Sequence, residues 1–190
     1  DEVYGSISDT SWGYSEWSPI NPSNPYSASK ACMVAIAIAY WRTYGVPLVI
    51  VEPMNAYGER QDREKFVPKC IRAISDGEKV LLHGTPQNIG SRHYLHARNI
   101  SDAILFLLNR PVATYPETEK PDRYNVVGDK LNNLEMAKRI AYVLGLPLDY
   151  KFDQNPRSRP GHDLHYGLDG RKLADLGWKA PVAFDESLER

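Results

Sequence analysis

The chain has 190 residues, 42% of them hydrophobic, which is enough to bury a core of one domain or one and a half. Its 23 Lys and Arg nearly balance its 24 Asp and Glu, and the net charge of −1 argues against nucleic acid or an anionic membrane as a partner. No apolar run is long enough to span a membrane. Cys32 and Cys70 have no CxxC spacing, so we expect buried free thiols in a reducing, cytoplasmic compartment, with no metal site.

Helical and extended patterns alternate along the chain. A loop rich in Ser, Asn, Pro and Gly covers residues 6–24, and a helix without internal Gly or Pro is predicted from Tyr26 to Tyr44. The apolar run at 46–52 predicts a buried parallel strand. Further helices are predicted at 66–75, 99–108, 133–144 and 171–176, and further strands at 79–83, 122–128 and 148–152. This alternation predicts an α/β fold.

The start of the long helix carries the first chemical signal. Residues 25–30 read PYSASK, so Tyr26 and Lys30 are four apart and project from the same helix face. A Lys ammonium held near a phenol favours the phenolate, which can act as a general base or acid. The spacing alone is weak, because any Tyr and Lys on a surface helix can produce it.

Further motifs occur in a fixed order along nearly the whole chain. They are DEVYG at 1–5, PSNPYSASK at 22–30, NAYG at 55–58, EKFVP at 64–68, RPGHD at 159–163 and LGWK at 176–179. With these motifs the chain resembles the extended short-chain dehydrogenase/reductase superfamily and its NAD-dependent epimerase/dehydratase family. Within that family it is most similar to the nucleotide-sugar 4,6-dehydratases of the dTDP-glucose type.

This resemblance implies the C-terminal part of a Rossmann-type doubly wound parallel sheet, plus a small α+β substrate-binding region. Residues 1–58 would form the second part of the Rossmann domain with its catalytic helix, and residues 59–190 a mixed Rossmann and substrate-binding region. The Gly-rich turn that holds the NAD pyrophosphate in the family is not in the sequence. We therefore expect a fragment of a larger enzyme, without the N-terminal NAD-binding half.

The resemblance also implies four catalytic residues. Tyr26 would act as the base for the C4 hydroxyl, and Lys30 would support it and bind the NAD ribose. Glu2 would remove the C5 proton, and Asp1 would protonate the departing C6 hydroxyl. Two neighbouring carboxyl groups with opposite tasks need environments that separate their pKa values. Epimerases and decarboxylases of the superfamily usually lack this acidic pair, so it is the main indication of dehydration.

Substrate-binding residues follow from the resemblance in the same way. They are Asn55, Glu64, Lys65, Phe66, Arg92, Asn125, Arg159 and His162. A guanidinium such as that of Arg92 suits a diphosphate. The sequence departs from the family pattern at three positions, where Ala56 stands for the usual Asn, His96 for Tyr and Asn99 for Asp. We expect His96 to be structural.

The function implied is a nucleotide-sugar 4,6-dehydratase that uses tightly bound NAD to make a 4-keto-6-deoxy sugar nucleotide. One alternative is an NAD-dependent nucleotide-sugar 4-epimerase or UDP-glucuronate decarboxylase with the same Tyr–Lys pair. Another is a sugar-nucleotide-binding fragment without turnover. The resemblance further implies a homodimer through the Tyr26–Tyr44 helix, for which Ala31, Val34, Ala35 and Ile38 offer a second apolar face.

Overall fold

The computed structural model describes residues 2–8, 12–153, 155, 161 and 163–189. A 3-10 helix, Glu2–Tyr4, opens the described chain. The α-helices of the described part are α1 (Pro25–Tyr44), α2 (Phe66–Ser75), α3 (Ala97–Leu108), α4 (Asn133–Leu144), α5 (Arg171–Asp175) and α6 (Phe184–Glu189). Its strands are β1 (Val49–Pro53), β2 (Asn55–Tyr57), β3 (Val80–Thr85), β4 (Asn88–Ile89), β5 (Ser91–His96), β6 (Asp122–Val126), β7 (Asp129–Asn132) and β8 (Tyr150–Asp153).

These strands form three small sheets, each containing one parallel pair. In the first sheet, β1 lies parallel to β6, with Val49 opposite Asp122 and Pro53 opposite Val126. In the second, β5 lies between β2, which is parallel to it, and β7, which is antiparallel. In the third, β3 lies between antiparallel β4 and parallel β8. Parallel strands connected through helices confirm the predicted α/β class.

Local signals define both ends of α1. The Asn24 side chain accepts a hydrogen bond from the Ser27 backbone N–H at 2.9 Å, and Pro25 occupies the first helical position. Gly45 ends the helix in the left-handed conformation, at φ 64°, which suits a residue without a Cβ atom. Trp41 fixes the far end, because its fully buried ring donates through Nε1 to the Ala113 carbonyl at 3.2 Å.

Most of the α1 surface is uncovered in this chain. Only Ser27, Ala31 and Trp41 of this helix are buried. Large apolar side chains are exposed along the rest, namely Tyr26, Met33, Ile36, Tyr40 and Tyr44. The expectation of two buried thiols was wrong for Cys32, which is exposed because it lies on this helix, whereas Cys70 is buried on α2. An apolar helix surface of this extent normally packs against another element.

The buried apolar side chains form three clusters. The largest joins α2 and α4 to β3 and β5, and it is built on Val67, Cys70, Ile74, Leu82, Tyr94, Met136, Ala137 and Ile140. A second cluster packs α3 and α5 against β1 and β6, around Ala103, Leu107, Tyr124, Val126, Leu173 and Trp178. The third lies beneath the 3-10 helix and the start of α1, around Val3, Tyr4, Ala31, Met54, Tyr166 and Leu168. This third cluster supports the candidate site.

Candidate active site

The Tyr–Lys pair lies on the exposed first turns of α1. Both side chains face solvent, and 66% of Tyr26 is exposed. The Lys30 Nζ atom lies 5.5 Å from the centroid of the Tyr26 ring. The helix therefore brings an ammonium and a phenol close together on an accessible surface, as the spacing predicted.

Asn24 connects this helix start to Glu2. Its side-chain oxygen caps α1, while its Nδ2 atom donates to Glu2 Oε2 at 3.1 Å and to the Gly161 carbonyl at 3.2 Å. Ser23, the preceding residue, donates to both carboxylate oxygens of Asp163, at 2.9 and 2.8 Å. One short polar segment thus links the Glu2 carboxylate, the helix that carries Tyr26, and the chain around residues 161 and 163.

Two predicted substrate-binding residues meet at a third side chain, Tyr166. The Tyr166 hydroxyl donates to Asn55 Oδ1 at 2.9 Å. The Arg92 guanidinium lies over the same ring, with its Cζ atom 3.9 Å from the ring centroid. Burial raises the pKa of Tyr166, and the nearby Arg92 charge opposes that effect. A protonated phenol therefore lies between an amide and a guanidinium.

Asn125 is enclosed within the protein. It is fully buried in β6, and its Nδ2 atom donates to the carbonyls of Tyr14 and Asp169, each at 3.0 Å. Its backbone N–H donates to Glu16 Oε1 at 3.2 Å. The Asn125 Oδ1 atom has no hydrogen-bond partner among the described residues. The side chain thus holds the segments around Tyr14 and Asp169 against β6. Its contact with a substrate stays a prediction.

The remaining predicted substrate residues lie at the start of α2 or outside the described chain. Glu64 and Lys65 are exposed, and Glu64 forms an ion pair with Lys69 at 2.9 Å. Phe66 begins the helix, half-buried against the largest cluster. Arg159 and His162 lie outside the described residues, as does Asp1, which was predicted to be catalytic. Their roles, and that of the α2 start, stay predictions.

Two residues that depart from the family pattern, His96 before α3 and Asn99 within it, have structural roles. His96 is buried, and its Nδ1 atom accepts from the Arg98 backbone N–H, so it caps α3. Asn99 is also buried, donating to the Val182 carbonyl at 2.8 Å and accepting from its N–H at 3.3 Å. An Asn can make both bonds, whereas an ionised Asp only accepts.

A buried ion pair lies beneath the 3-10 helix. Glu52 of β1 and Arg123 of β6 form two parallel hydrogen bonds of 2.7 Å, with side chains only 10% and 2% exposed. The Tyr4 hydroxyl donates to the same carboxylate at 2.8 Å. Burial and the Glu52 carboxylate both raise the pKa of Tyr4. Tyr4 thereby fixes the helix that begins with Glu2 to the sheet below.

The sequence matches the model of the NAD dependent epimerase/dehydratase family over residues 1–126. The chain belongs to this family. It is 34% identical over 201 residues to dTDP-glucose 4,6-dehydratase of Haemophilus influenzae, a match that covers 100% of the chain and 57% of that protein. The chain thus spans about half the length of the curated relatives it matches.

Two solved structures with bound NAD have the same fold. The crystal structure of dTDP-glucose 4,6-dehydratase from Bacillus anthracis in complex with NAD matches with a TM-score of 0.81 at 29% identity, covering 99% of this chain and 57% of that one. UDP-glucose 4-epimerase from Thermus thermophilus, in complex with NAD, matches with a TM-score of 0.84 at 24% identity, over 99% and 58%. The second likeness shows the fold alone. These matches confirm the predicted Rossmann-type class.

Sequence reasoning missed two polar residues that organise this family member's site. Asn24 was visible as a residue before Pro25, which is a signal for a helix cap, but its link to Glu2 was not. Tyr166 carries no sequence signal, because its partners Asn55 and Arg92 are far away in the chain.

Among the described residues, no helix has both the length and the apolar character needed to cross a bilayer.

Proposed function

We propose that this chain forms the catalytic and substrate-binding part of an NAD-dependent nucleotide-sugar 4,6-dehydratase. The observation that carries the proposal is the double role of Asn24, which caps the helix of Tyr26 and Lys30 and also binds the Glu2 carboxylate. Asn24 thus positions both Tyr26, the proposed base for the sugar hydroxyl, and Glu2, the carboxylate proposed to deprotonate a C–H bond. The dTDP-glucose 4,6-dehydratases among the relatives favour dehydration over the alternatives.

The exposed pair on α1 fits one end of NAD. A phenol and an ammonium that face solvent within reach of each other can donate hydrogen bonds to ribose hydroxyls. Tyr26 and Lys30 would therefore hold the nicotinamide ribose. When bound, NAD supplies the acceptor for the C4 hydride and later returns that hydride to C6.

The side chains of this chain would move the protons. Tyr26 would take the C4 hydroxyl proton, and the resulting carbonyl would make the neighbouring C5–H acidic. Glu2 would then remove the C5 proton, while Asp1 would donate a proton to the departing C6 hydroxyl, so that water leaves. The fixed Arg92 guanidinium would bind the diphosphate, and Asn55 the sugar. When the hydride reaches C6, Glu2 would return its proton to C5, so that the net change is the loss of one water from the hexose.

The mass of the product tests this reaction. The protein that contains this chain is supplied with dTDP-glucose, and we expect a product lighter by one water that absorbs in the near ultraviolet in alkali. An epimerase would leave the mass unchanged, and a decarboxylase would release carbon dioxide from UDP-glucuronate. Unchanged mass with every sugar nucleotide offered would contradict dehydration.

Substitution of the phenol tests the assigned base. Tyr26→Phe should lower kcat about 100- to 10,000-fold, the range expected when a general base is removed. Sugar-nucleotide affinity should stay close to wild type, because the nucleotide is held elsewhere. Tyr40→Phe is a matched control on the same helix, since Tyr40 is also exposed. Turnover of the Tyr26 variant within tenfold of wild type would remove Tyr26 from its role.

We also propose that two copies associate through α1. Of the residues predicted for this face, Ala31 is instead buried within its own chain. The exposed stripe consists instead of Met33, Ile36, Tyr40 and Tyr44, at spacings of three and four residues that align on one side of the helix. A second copy of this helix would cover that stripe.

Light scattering on a charged variant tests the association. Ile36→Glu should halve the mass of the wild-type assembly. Leu108→Glu is the matched control, because Leu108 is comparably exposed but lies on α3. A monomeric wild type, or equal effects of both variants, would contradict an α1 interface.

A further inference from the structure

Tyr166 connects three parts of the candidate site that lie far apart in the sequence. The segment that carries it runs beside β5, where the Ser91 N–H donates to the Leu164 carbonyl at 3.2 Å and His165 forms a parallel bridge to Ser91. The Tyr166 side chain is 6% exposed and belongs to the cluster beneath the 3-10 helix. Its position is therefore set both by the sheet and by the core.

The hydroxyl of Tyr166 determines how the Asn55 amide is turned. Asn55 Nδ2 points to the His93 carbonyl at 3.5 Å, so its Oδ1 atom is the one that receives the Tyr166 hydrogen at 2.9 Å. Without that hydrogen bond the amide would have one polar anchor fewer and could rotate about its last bond. An amide that is free to rotate loses part of its binding free energy in ordering.

The ring of Tyr166 serves the other partner. The flat guanidinium of Arg92 lies over it at 3.9 Å, and the carbonyls of Ser91 and Asp163 accept from Arg92 at 2.7 and 2.8 Å. The Leu164 carbonyl also accepts from it. An aromatic face and several carbonyls together allow little freedom to the guanidinium plane. The cation is thus oriented before any anion arrives.

We propose that Tyr166 is a positioning residue of the sugar-nucleotide site, with its hydroxyl orienting Asn55 and its ring orienting Arg92. This inference rests on the proposed function, which assigns Asn55 to the sugar and Arg92 to the diphosphate. The two functions belong to different atoms of one side chain, so two substitutions separate them. Tyr166→Phe removes the hydroxyl alone, and Tyr166→Leu removes the ring as well.

The experiment measures dTDP binding by calorimetry and steady-state kinetics with dTDP-glucose, on the protein that contains this chain. For Tyr166→Phe we expect dTDP affinity within about threefold of wild type and a KM for dTDP-glucose about tenfold higher, the loss of one hydrogen bond. Its kcat should change less than threefold. For Tyr166→Leu we expect the same rise in KM. In addition, its dTDP affinity should fall about tenfold, because the Arg92 guanidinium loses the aromatic ring beneath it.

Tyr142→Phe provides the control, since Tyr142 is 85% exposed on α4. An unchanged KM in Tyr166→Phe, or equal dTDP affinity in both Tyr166 variants, would overturn the proposal. So would a parallel fall of kcat, affinity and melting temperature in both variants, which indicates a merely structural role. If wild type converts no sugar nucleotide, the proposed function fails by itself, and the dTDP arm still tests the effect of the ring on Arg92.

Discussion

The buried pair of Glu52 and Arg123 gives the sharpest stability prediction. Both charges are removed from water, and two hydrogen bonds of 2.7 Å compensate them. Arg123→Met leaves the Glu52 carboxylate buried without its countercharge. Breaking a buried pair by removing one partner costs about 3–5 kcal/mol of the free energy of unfolding. For a chain of this size, that lowers the melting temperature by about 6–20 °C.

Removing both charges should restore most of that loss. Glu52→Leu with Arg123→Met leaves an apolar pair of similar volume, and such replacements are often neutral or stabilising. The Tyr4 hydroxyl would keep a partner, because it also lies 3.1 Å from the Glu16 carbonyl. We therefore expect the double variant within about 1 kcal/mol of wild type, measured by urea unfolding followed by circular dichroism.

The double-mutant cycle decides whether this reasoning holds. Strong coupling between two contacting residues gives a double-variant loss far smaller than the sum of the single losses. Additive losses would mean that each side chain contributes through its own packing and that the pair as such contributes little. A loss below 1 kcal/mol for Arg123→Met alone would refute the premise that Glu52 is isolated from water.

Three further predictions concern single residues. Asn99→Asp should lower the free energy of unfolding by about 1–3 kcal/mol, since it replaces a buried hydrogen-bond donor with a buried charge. A melting temperature equal to that of wild type would contradict this. Burial lowers the pKa of His93 below 6.5, so its contribution to stability should be full above pH 6.5 and be lost as the pH drops through the folded-state pKa. In unfolding curves measured at several pH values, His93→Gln should reduce the dependence of stability on pH. Iodoacetamide should modify exposed Cys32 well before Cys70, whose pKa burial raises to about 12, and equal rates by mass spectrometry would argue against the packing of α2.

Two helices were predicted with correct bounds from signals within their own segments. The α4 helix has an Asn132–Glu135 capping box and ends at Gly145 in the left-handed conformation, all of which can be recognised within the segment itself. The α2 helix likewise matched residue for residue, because its apolar positions recur at helical spacing. Such elements need little information from the rest of the chain.

The β5 strand was not predicted from the sequence. β5 contains Ser91, Arg92 and His96, which are all buried, so it lacks the apolar alternation that indicates a strand. The partners that make this burial tolerable come from distant segments, such as the Asp163 carbonyl for Arg92. For the same reason the Tyr26–Lys30 pair could be read from its spacing, whereas the role of Tyr166 required the folded chain.

The candidate site depends on contacts between the two ends of the chain. Ser23 binds Asp163 across 140 residues of sequence, and Tyr166 binds Asn55 across 111. The helix that carries the proposed base and the residues that would hold the sugar nucleotide are therefore fixed by one and the same C-terminal segment. Closing such long loops costs conformational entropy, which only the contacts of the complete fold offset. Neither the segment around Ser23 nor the segment around Asp163 can therefore orient its side chains alone. Substitutions in residues 163–168 should for this reason disturb substrate binding even where they touch no substrate atom.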